Sequence, residues 1–324
     1  MSTSAETPDR VLVVGAGPVG MVAAFGLGRA GVPVTVLERL DDLATESRAS
    51  TFHPPTLELL ADLGVVDDLM AQGLKAPVTQ FRDRRHGPVA ELDLGVLADD
   101  TPFPFRVQCE QHKLTRIIRD RLGDLDVEIE YGAPVSGVSI DGDRAEVELG
   151  DGTTRSAPWV IAADGAHSAV RRSLDIDFEG ETYPERFLVV STELELRDHL
   201  PDLALVNYVA DPDEWLVLLR TPDHWRILFP IPDGESDDAA TTPERIQERL
   251  AGVLELGEPW PVAHSSLYVV NRRVAARMRV GPVLLAGDAA HVNSPLGGMG
   301  MNSGIQDAVS ASRRLASVWG RPAG

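Results

Sequence analysis

Arg10-Val11-Leu12-Val13-Val14-Gly15-Ala16-Gly17-Pro18-Val19-Gly20 opens the stretch on which the chain's fold turns, and an apolar run carries it on to Ala30. After Gly31 comes Val32-Pro33-Val34-Thr35-Val36-Leu37, ending on Glu38-Arg39. The pattern is a buried strand, a glycine turn, a helix, and a second buried strand closing on an acid. Gly15 permits the tight turn, Gly17 lets backbone approach a pyrophosphate, and Gly20 lets helix pack on strand. The N–H groups at the helix start then face the phosphates, aided by a partial positive charge of about half a unit. Glu38 stands about 20 residues on, where a carboxylate accepts from ribose hydroxyls. Glycine is common here, 29 of 324 residues. The three glycines alone therefore decide little; the strand before, the helix after and Glu38 decide more. The motif calls for an ADP-containing ligand and leaves NAD and FAD open.

Working outward, the chain is long enough for a large core and two lobes. Net charge is −20, which disfavours nucleic acid and anionic membrane as partners. Lys75 and Lys113 are the only lysines, and Cys109 is the only cysteine. That excludes a disulfide, a Cys-x-x-Cys redox pair and a cysteine metal cluster. The uncharged run Val11–Gly28 is interrupted by a turn, so it is not read as a membrane span. Met1–Pro8 is polar, unlike a signal peptide, and is expected to be disordered. The expected location is cytoplasmic.

Further along, Arg48 lies in a polar loop past the second strand. It is either a solvated arginine or a bidentate partner for pyrophosphate. Leu57, Leu60 and Leu63 predict a helix after Pro54-Pro55, stopped by Gly64. Pro77–Leu97 reads as hairpin strands. Phe105–Leu122 carries helical spacing, with Gln111 near its start, either solvated or bonded to a cofactor edge. Val127–Glu130, Val135–Ile140 and Ala145–Leu149 read as strands. The buried run Trp159–Ala163 ends on Asp164-Gly165, a plain turn or a ligand contact at a strand's carboxyl end. Between Arg186 and Pro230, strand-like runs follow without helices and predict an antiparallel sheet. Thr242–Leu250 predicts a helix, and Val262–Val270 a strand. Val280–Gly287 reads as the last buried strand, with Asp288 at its end. Pro295-Leu296-Gly297-Gly298-Met299-Gly300-Met301-Asn302 then opens a helix, a second anion site with backbone donors. His291 reads as structural, and Met299 and Met301 as packing.

Three strand ends (the Gly20 turn, Asp164 and Asp288) and this second helix start point at one crevice. A nicotinamide dinucleotide needs the first and little else. A longer ligand with a ribityl chain and a flat ring, FAD, suits all of them.

Three motifs, Gly15-x-Gly17-x-x-Gly20 with Glu38, Asp164-Gly165, and Gly287-Asp288 before Pro295–Asn302, occur together. In this the chain resembles the FAD-dependent aromatic hydroxylases, single-component class A flavoprotein monooxygenases acting on para-hydroxybenzoate, phenols or polyketides. The resemblance implies an α/β fold: a Rossmann-like FAD-binding domain of the GR2 type with an inserted antiparallel β-sheet substrate domain. The expected division is 1–75, 100–182 and 275–324 for FAD, and 76–99 and 183–274 for substrate. By resemblance, Glu38 holds the adenosine ribose with Arg39 beside it, and backbone at Val135 lies by adenine. Arg48 and Gln111 contact the pyrophosphate and ribityl region, as does Asp288. Asp164 serves the dinucleotide side, and backbone from Pro295 to Asn302, with Gly298, Gly300 and Met301, lines the isoalloxazine.

The implied chemistry is tightly bound FAD, NAD(P)H as transient reductant, and O2 forming a flavin C4a-hydroperoxide that hydroxylates a small aromatic ring. No catalytic side chain is assigned; Tyr208, Arg220 and His224 are weak candidates for handling a phenol. Oligomeric state is left open, with a homodimer among the options. Two features depart from the family. The chain ends at Gly324, about one helix after Asn302, and Val309–Arg314 replaces an expected Asn-Leu-x-Trp-Lys stretch. Alternatives are a flavin-dependent reductase or halogenase, though Trp215 and Trp225 lack a Trp-x-Trp-x-Ile-Pro setting, and a non-catalytic FAD-binding protein.

Overall fold

The computed structural model describes residues 9–45, 49–212 and 214–320; the expectations for Arg48 and Met1–Pro8 lie outside them. Val11–Val14 is the centre of a six-stranded sheet. Val34–Leu37 and Val127–Glu130 lie on one side of it, and Val160–Ala162, Val283–Leu285 and Arg279–Val280 on the other. All pairs are parallel except the last, which folds back at Gly281. The run read as one strand, Val280–Gly287, is therefore two short ones.

Alternation along Val11–Val14 sorts its side chains to two cores, because successive residues of a strand point to opposite faces. Val11 and Val13 pack under the helices Pro18–Arg29 and Met299–Val318. Leu12 and Val14 pack against a three-stranded sheet, Val135–Asp141, Arg144–Leu149 and Thr154–Ala157. All four are buried, which is why the run is continuously apolar.

A second small sheet joins Thr51–Phe52, Arg106–Gln108 and Leu74–Ala76. It corrects the reading of Phe105–Leu122: the helix occupies only Gln111–Asp120, and the residues before Cys109 are strand. Three-residue strands are too short to show a period, so the helical spacing beyond Gln111 masks this one.

The large sheet has eight strands, in the order His291–Val292, Val262–Ala275, Phe178–Thr192, Trp225–Ile231, Leu216–Arg220, Val206–Ala210, Val78–Asp83 and Gly87–Asp93. Pairing is antiparallel except between Val206–Ala210 and Val78–Asp83. One face buries Trp225, Ile227 and Phe229 beneath the helix Pro243–Val253. Thr242 caps that helix, its hydroxyl accepting from Arg245 N. The strands Phe178–Thr192 and Val262–Ala275 are longer than their apolar runs, and Phe178 and Ala275 reach into the core beneath the parallel sheet.

Candidate functional site

Consecutive parallel strands end side by side, and their loops interlock. Gly15, at φ +98°, faces the loop after Val160–Ala162 so closely that a Cβ would lie 2.6 Å from the Ala163 carbonyl oxygen. A Cβ on Gly20 would lie 1.9 Å from Gly15 O. The Val19 side chain fits against Gly287 and Gly304, where added Cβ atoms would meet it at 2.8 and 2.6 Å. The glycine turn, Asp164 and the loop bearing Asp288 are thus one contiguous rim, and the last helix begins beside it.

At Gly17 the situation reverses. It caps Pro18–Arg29 with no side-chain hydrogen bond and no acid in the first turn. A Cβ there would meet nothing within 4 Å. Open space above an uncapped, positively polarised helix start is what an anion needs. Glu38 is buried, and its carboxylate accepts from Ala16 N at 2.7 Å and Leu40 N at 3.0 Å. It thereby braces the glycine turn itself. Arg39 beside it is exposed. Ala133 N donates to Glu38 O, which brings the start of the Val135 strand alongside.

One carboxylate oxygen of Asp164 accepts from Val170 N at 3.2 Å; the other is buried and has no partner among the described residues. Gly165, at φ +83°, opens onto free space. The buried Arg171, not singled out from sequence, donates to Ala166 O and Ala289 O and lies 3.8 Å over Phe178. It staples the Asp164 loop to the Asp288 loop. Asp288 is exposed at the rim. Asp307, also missed, accepts from Gly287 N at 3.0 Å and holds His291 Nε2 at 2.7 Å. The Asp307 carboxylate raises the His291 pKa above its ordinary value.

The second helix start is held from far away in sequence. Gly297 and Gly298 both adopt positive φ, +83° and +65°, and Gly298 caps Met299–Val318 without a side-chain bond. Asn302 is buried; it donates to Thr51 O at 2.8 Å and Gly298 O at 2.6 Å and accepts from His53 N at 2.9 Å. His53 Nε2 lies 2.8 Å from Gly297 O. A carbonyl only accepts, so the ring donates. Burial lowers the His53 pKa; the bond to Gly297 O opposes this and the nearby Arg106 charge adds to it. Met301 is buried in the core as expected, while Met299 is exposed.

Gln111 opens its helix, its N–H donating to Ala49 O, so it lies beside the Thr51 strand. Its neighbour Glu110 is buried, pairs with Lys113 at 2.8 Å and accepts from Asp223 N at 3.1 Å, tying this region to the large sheet. Burial opposes ionisation of Glu110, but hydrogen bonds from Lys113, Thr221 and Asp223 hold it below the usual carboxylate range. Burial pushes the Cys109 thiol up to about 12. Of the weak candidates, Tyr208 stacks on Phe81 with centroids 5.6 Å apart. Arg220 is committed to Glu195 at 3.1 Å. His224 closes the turn with Thr221 through its backbone.

These residues fit FAD. The crevice offers two uncapped helix starts, an open cradle over Gly17 and an orphaned buried oxygen on Asp164, which can accept from a hydroxyl of a long polar chain. Among the described residues no His, Cys, Asp or Glu group is arranged to hold a metal ion. None of their helices is long and apolar enough to cross a membrane.

Comparison with known proteins agrees with this geometry. The family model described as "FAD binding domain" matches residues 9–323. Para-nitrophenol 4-monooxygenase of Pseudomonas sp. (strain WBC-3) is 35% identical over 97% of this chain and 79% of its own length. The 6-methylpretetramide 4-monooxygenase of Streptomyces rimosus is 36% identical over 98% of this chain and 57% of its own. The crystal structure of p-nitrophenol 4-monooxygenase from Pseudomonas putida superimposes with a TM-score of 0.89 at 33% identity, covering 97% of this chain and 80% of that one. A ternary complex of aklavinone-11 hydroxylase with FAD and aklavinone gives 0.85 at 26% identity, covering 97% and 63%. The chain thus spans about four fifths of the nitrophenol enzymes and less than two thirds of the other two.

Proposed function

We propose that this chain, which belongs to the FAD-binding family of flavoprotein monooxygenases, hydroxylates a small electron-rich aromatic compound, with NAD(P)H as electron donor and O2 as oxidant. The observation that carries the reading is that two helices with uncapped glycine starts, at Gly17 and Gly298, pack together where Val19 of the first meets Gly304 of the second and Gly287 beside it. When bound, FAD supplies electron transfer from the nicotinamide and activation of oxygen.

The chain's own residues bind and orient. The Gly15–Gly20 turn takes the pyrophosphate, Glu38 the ribose, with Arg39 at its side, and Gln111, Asp164 and Asp288 the connecting chain. Backbone from Pro295 to Asn302 lies along the isoalloxazine. There the N-terminus of Met299–Val318 favours negative charge on the reduced ring by about 0.3–1 kcal/mol. Segments 1–75, 100–182 and 275–324 make the cofactor part, and 76–99 and 183–274 the substrate wall. On that wall Val189, Val217 and Leu228 form an apolar cluster on the face away from Pro243–Val253. Such a surface keeps water from the reacting ring.

The test is purification of the chain followed by turnover with labelled O2 across a panel of phenols. Bound flavin, phenol-stimulated NAD(P)H oxidation and label in the product are expected. Flavin without labelled product from any phenol would favour a binding protein, and absence of flavin would defeat the reading altogether.

A further inference from the structure

The loop that carries Asp288 is held from behind by the last helix. A single carboxylate oxygen of Asp307, Oδ2, accepts from Gly287 N at 3.0 Å and lies 2.7 Å from His291 Nε2. Gly287 and His291 stand on either side of Asp288, so both ends of the loop are fixed by one atom. A carboxylate only accepts, so the ring donates to it. The ring's other hydrogen bond is to its own backbone carbonyl. Two acceptors facing the two ring nitrogens is the arrangement of an imidazolium. The loop also rests on the first helix start, because an added Cβ on Gly287 would lie 2.8 Å from the Val19 side chain. Asp307 therefore ties the Asp288 loop to both helix starts: to the first through Gly287, and to the second through the helix that Gly298 caps.

The charges around His291 come from four elements. Its own loop brings Asp288, and the last helix brings Asp307. The helix Ala169–Ser173 brings Arg171, which donates to Ala166 O and Ala289 O and feels Asp164 on its far side. The strand Val262–Ala275 brings Arg273, but this stands opposite Val292, whereas Val274 stands opposite His291. Successive strand residues leave on opposite faces, and Arg273 donates to Phe178 O and Thr182 Oγ1 instead. The glycine turn contributes Val19 and no charge. Arg171 keeps its charge at any ordinary pH. Of the cations that meet this loop among the described residues, His291 alone gains or loses its charge near neutrality. FAD arrives with negative charge on its pyrophosphate. With His291 protonated, one of the two carboxylates beside it is compensated; with His291 neutral, neither is.

We infer that Asp307 is a positioning residue of the cofactor site: by holding Gly287 N and a protonated His291 it sets Asp288 toward the FAD chain and lessens the negative charge that FAD meets. Retention of the cofactor is thereby tied to pH. The bond to Asp307 raises the His291 pKa above 6.5, against the effect of burial. FAD affinity is therefore full below the raised value and falls as pH rises through it. Binding of FAD is accompanied by proton uptake in that range. This rests on the cofactor placement given under the proposed function and does not depend on what the flavin goes on to oxidise.

The test equilibrates the FAD-loaded protein between about pH 5 and 9 and measures free flavin in the ultrafiltrate. In wild type, FAD should weaken by about three- to tenfold across the His291 transition. Asp307→Asn keeps an acceptor for Gly287 N and removes the charge. Its affinity at the acid end should stay within about threefold of wild type, and its transition should move to lower pH. His291→Gln should have no transition. Asp307→Ala loses both bonds and should weaken FAD by about tenfold or more at every pH. Histidine NMR gives a second readout, which decides the matter if Asp307→Ala does not fold. The ring signal missing from His291→Gln should titrate together with the FAD transition in wild type and in Asp307→Asn. A transition that persists in His291→Gln, one that Asp307→Asn leaves in place, or a wild-type affinity indifferent to pH while the His291 signal titrates would overturn the inference. Oxygenated product from a protein with any of those results defeats this inference alone. The expected shifts without oxygenated product support it and defeat only the proposed function.

Discussion

The two glycine-opened helices face the same rim but are held in different ways. The first, at Gly15–Gly20, is set by its immediate surroundings: a strand on one side, the helix on the other, and Glu38 bracing Ala16 N. The second, at Gly297–Gly300, takes its shape from residues about 250 positions away, through Asn302 to Thr51 and His53 to Gly297. A turn determined by its neighbours can be recognised as a motif. A turn determined by tertiary contacts shows its glycines but not the side chains that hold it.

The largest expected effect lies within the first turn and separates its two kinds of glycine. Gly20→Ala drives a Cβ to 1.9 Å from Gly15 O, a backbone atom with no easy retreat. It should cost more than about 3 kcal/mol of stability and abolish FAD binding. Gly17→Ala puts its methyl into open space. Its stability should change by no more than about 0.5 kcal/mol, while FAD affinity falls by about tenfold or more, since the pyrophosphate needs that space. Chemical denaturation of the apoprotein and FAD titration read the two quantities apart. If Gly17→Ala binds FAD as well as wild type, the open cradle is not the phosphate site.

Next in size is the second start. Asn302→Ala removes three hydrogen bonds from a buried side chain and leaves backbone groups of Thr51, His53 and Gly298 short of partners. A loss of about 2–4 kcal/mol is expected. The first turn stays intact, so the variant should retain the ADP end of the cofactor while its flavin spectrum broadens. ADP binding and FAD absorption, measured side by side, check this. An equal loss of both would mean that the two starts are not independently held.

The same contrast explains what was legible in advance. Gly15, Gly17, Gly20 and Glu38 carry their reasons within one βα unit, and Asp164-Gly165 and Gly287-Asp288 each end a buried apolar run. Position relative to a strand end was enough to place them on one rim. The strand Arg106–Gln108 was hidden because three residues have no period to read. Asn302 was expected to act through its backbone, yet its side chain is the brace; nothing in Met301-Asn302-Ser303 points to Thr51. Arg171 and Asp307 link segments more than a hundred and about twenty residues apart.

The smallest expected effects are in pH dependence and belong to the second start, which carries His53 while His291 stands at the adjoining loop. The two histidines pull in opposite directions. His53, lowered from its ordinary 6.5 chiefly by burial, stays neutral in the fold while the unfolded chain takes up a proton. Its linkage therefore weakens the fold as pH falls below 6.5 toward the lowered value. His291, raised from 6.5 chiefly by its bond to Asp307, holds a proton that the unfolded chain has released. Its contribution is fully present below 6.5 and is lost as pH rises through the raised value. Denaturation of the apoprotein between about pH 5 and 8 should show His53→Gln, which keeps a donor for Gly297 O, flattening the acid side. His291→Gln should flatten the alkaline side. If both variants changed the same limb, the opposed environments assigned to the two rings would be wrong.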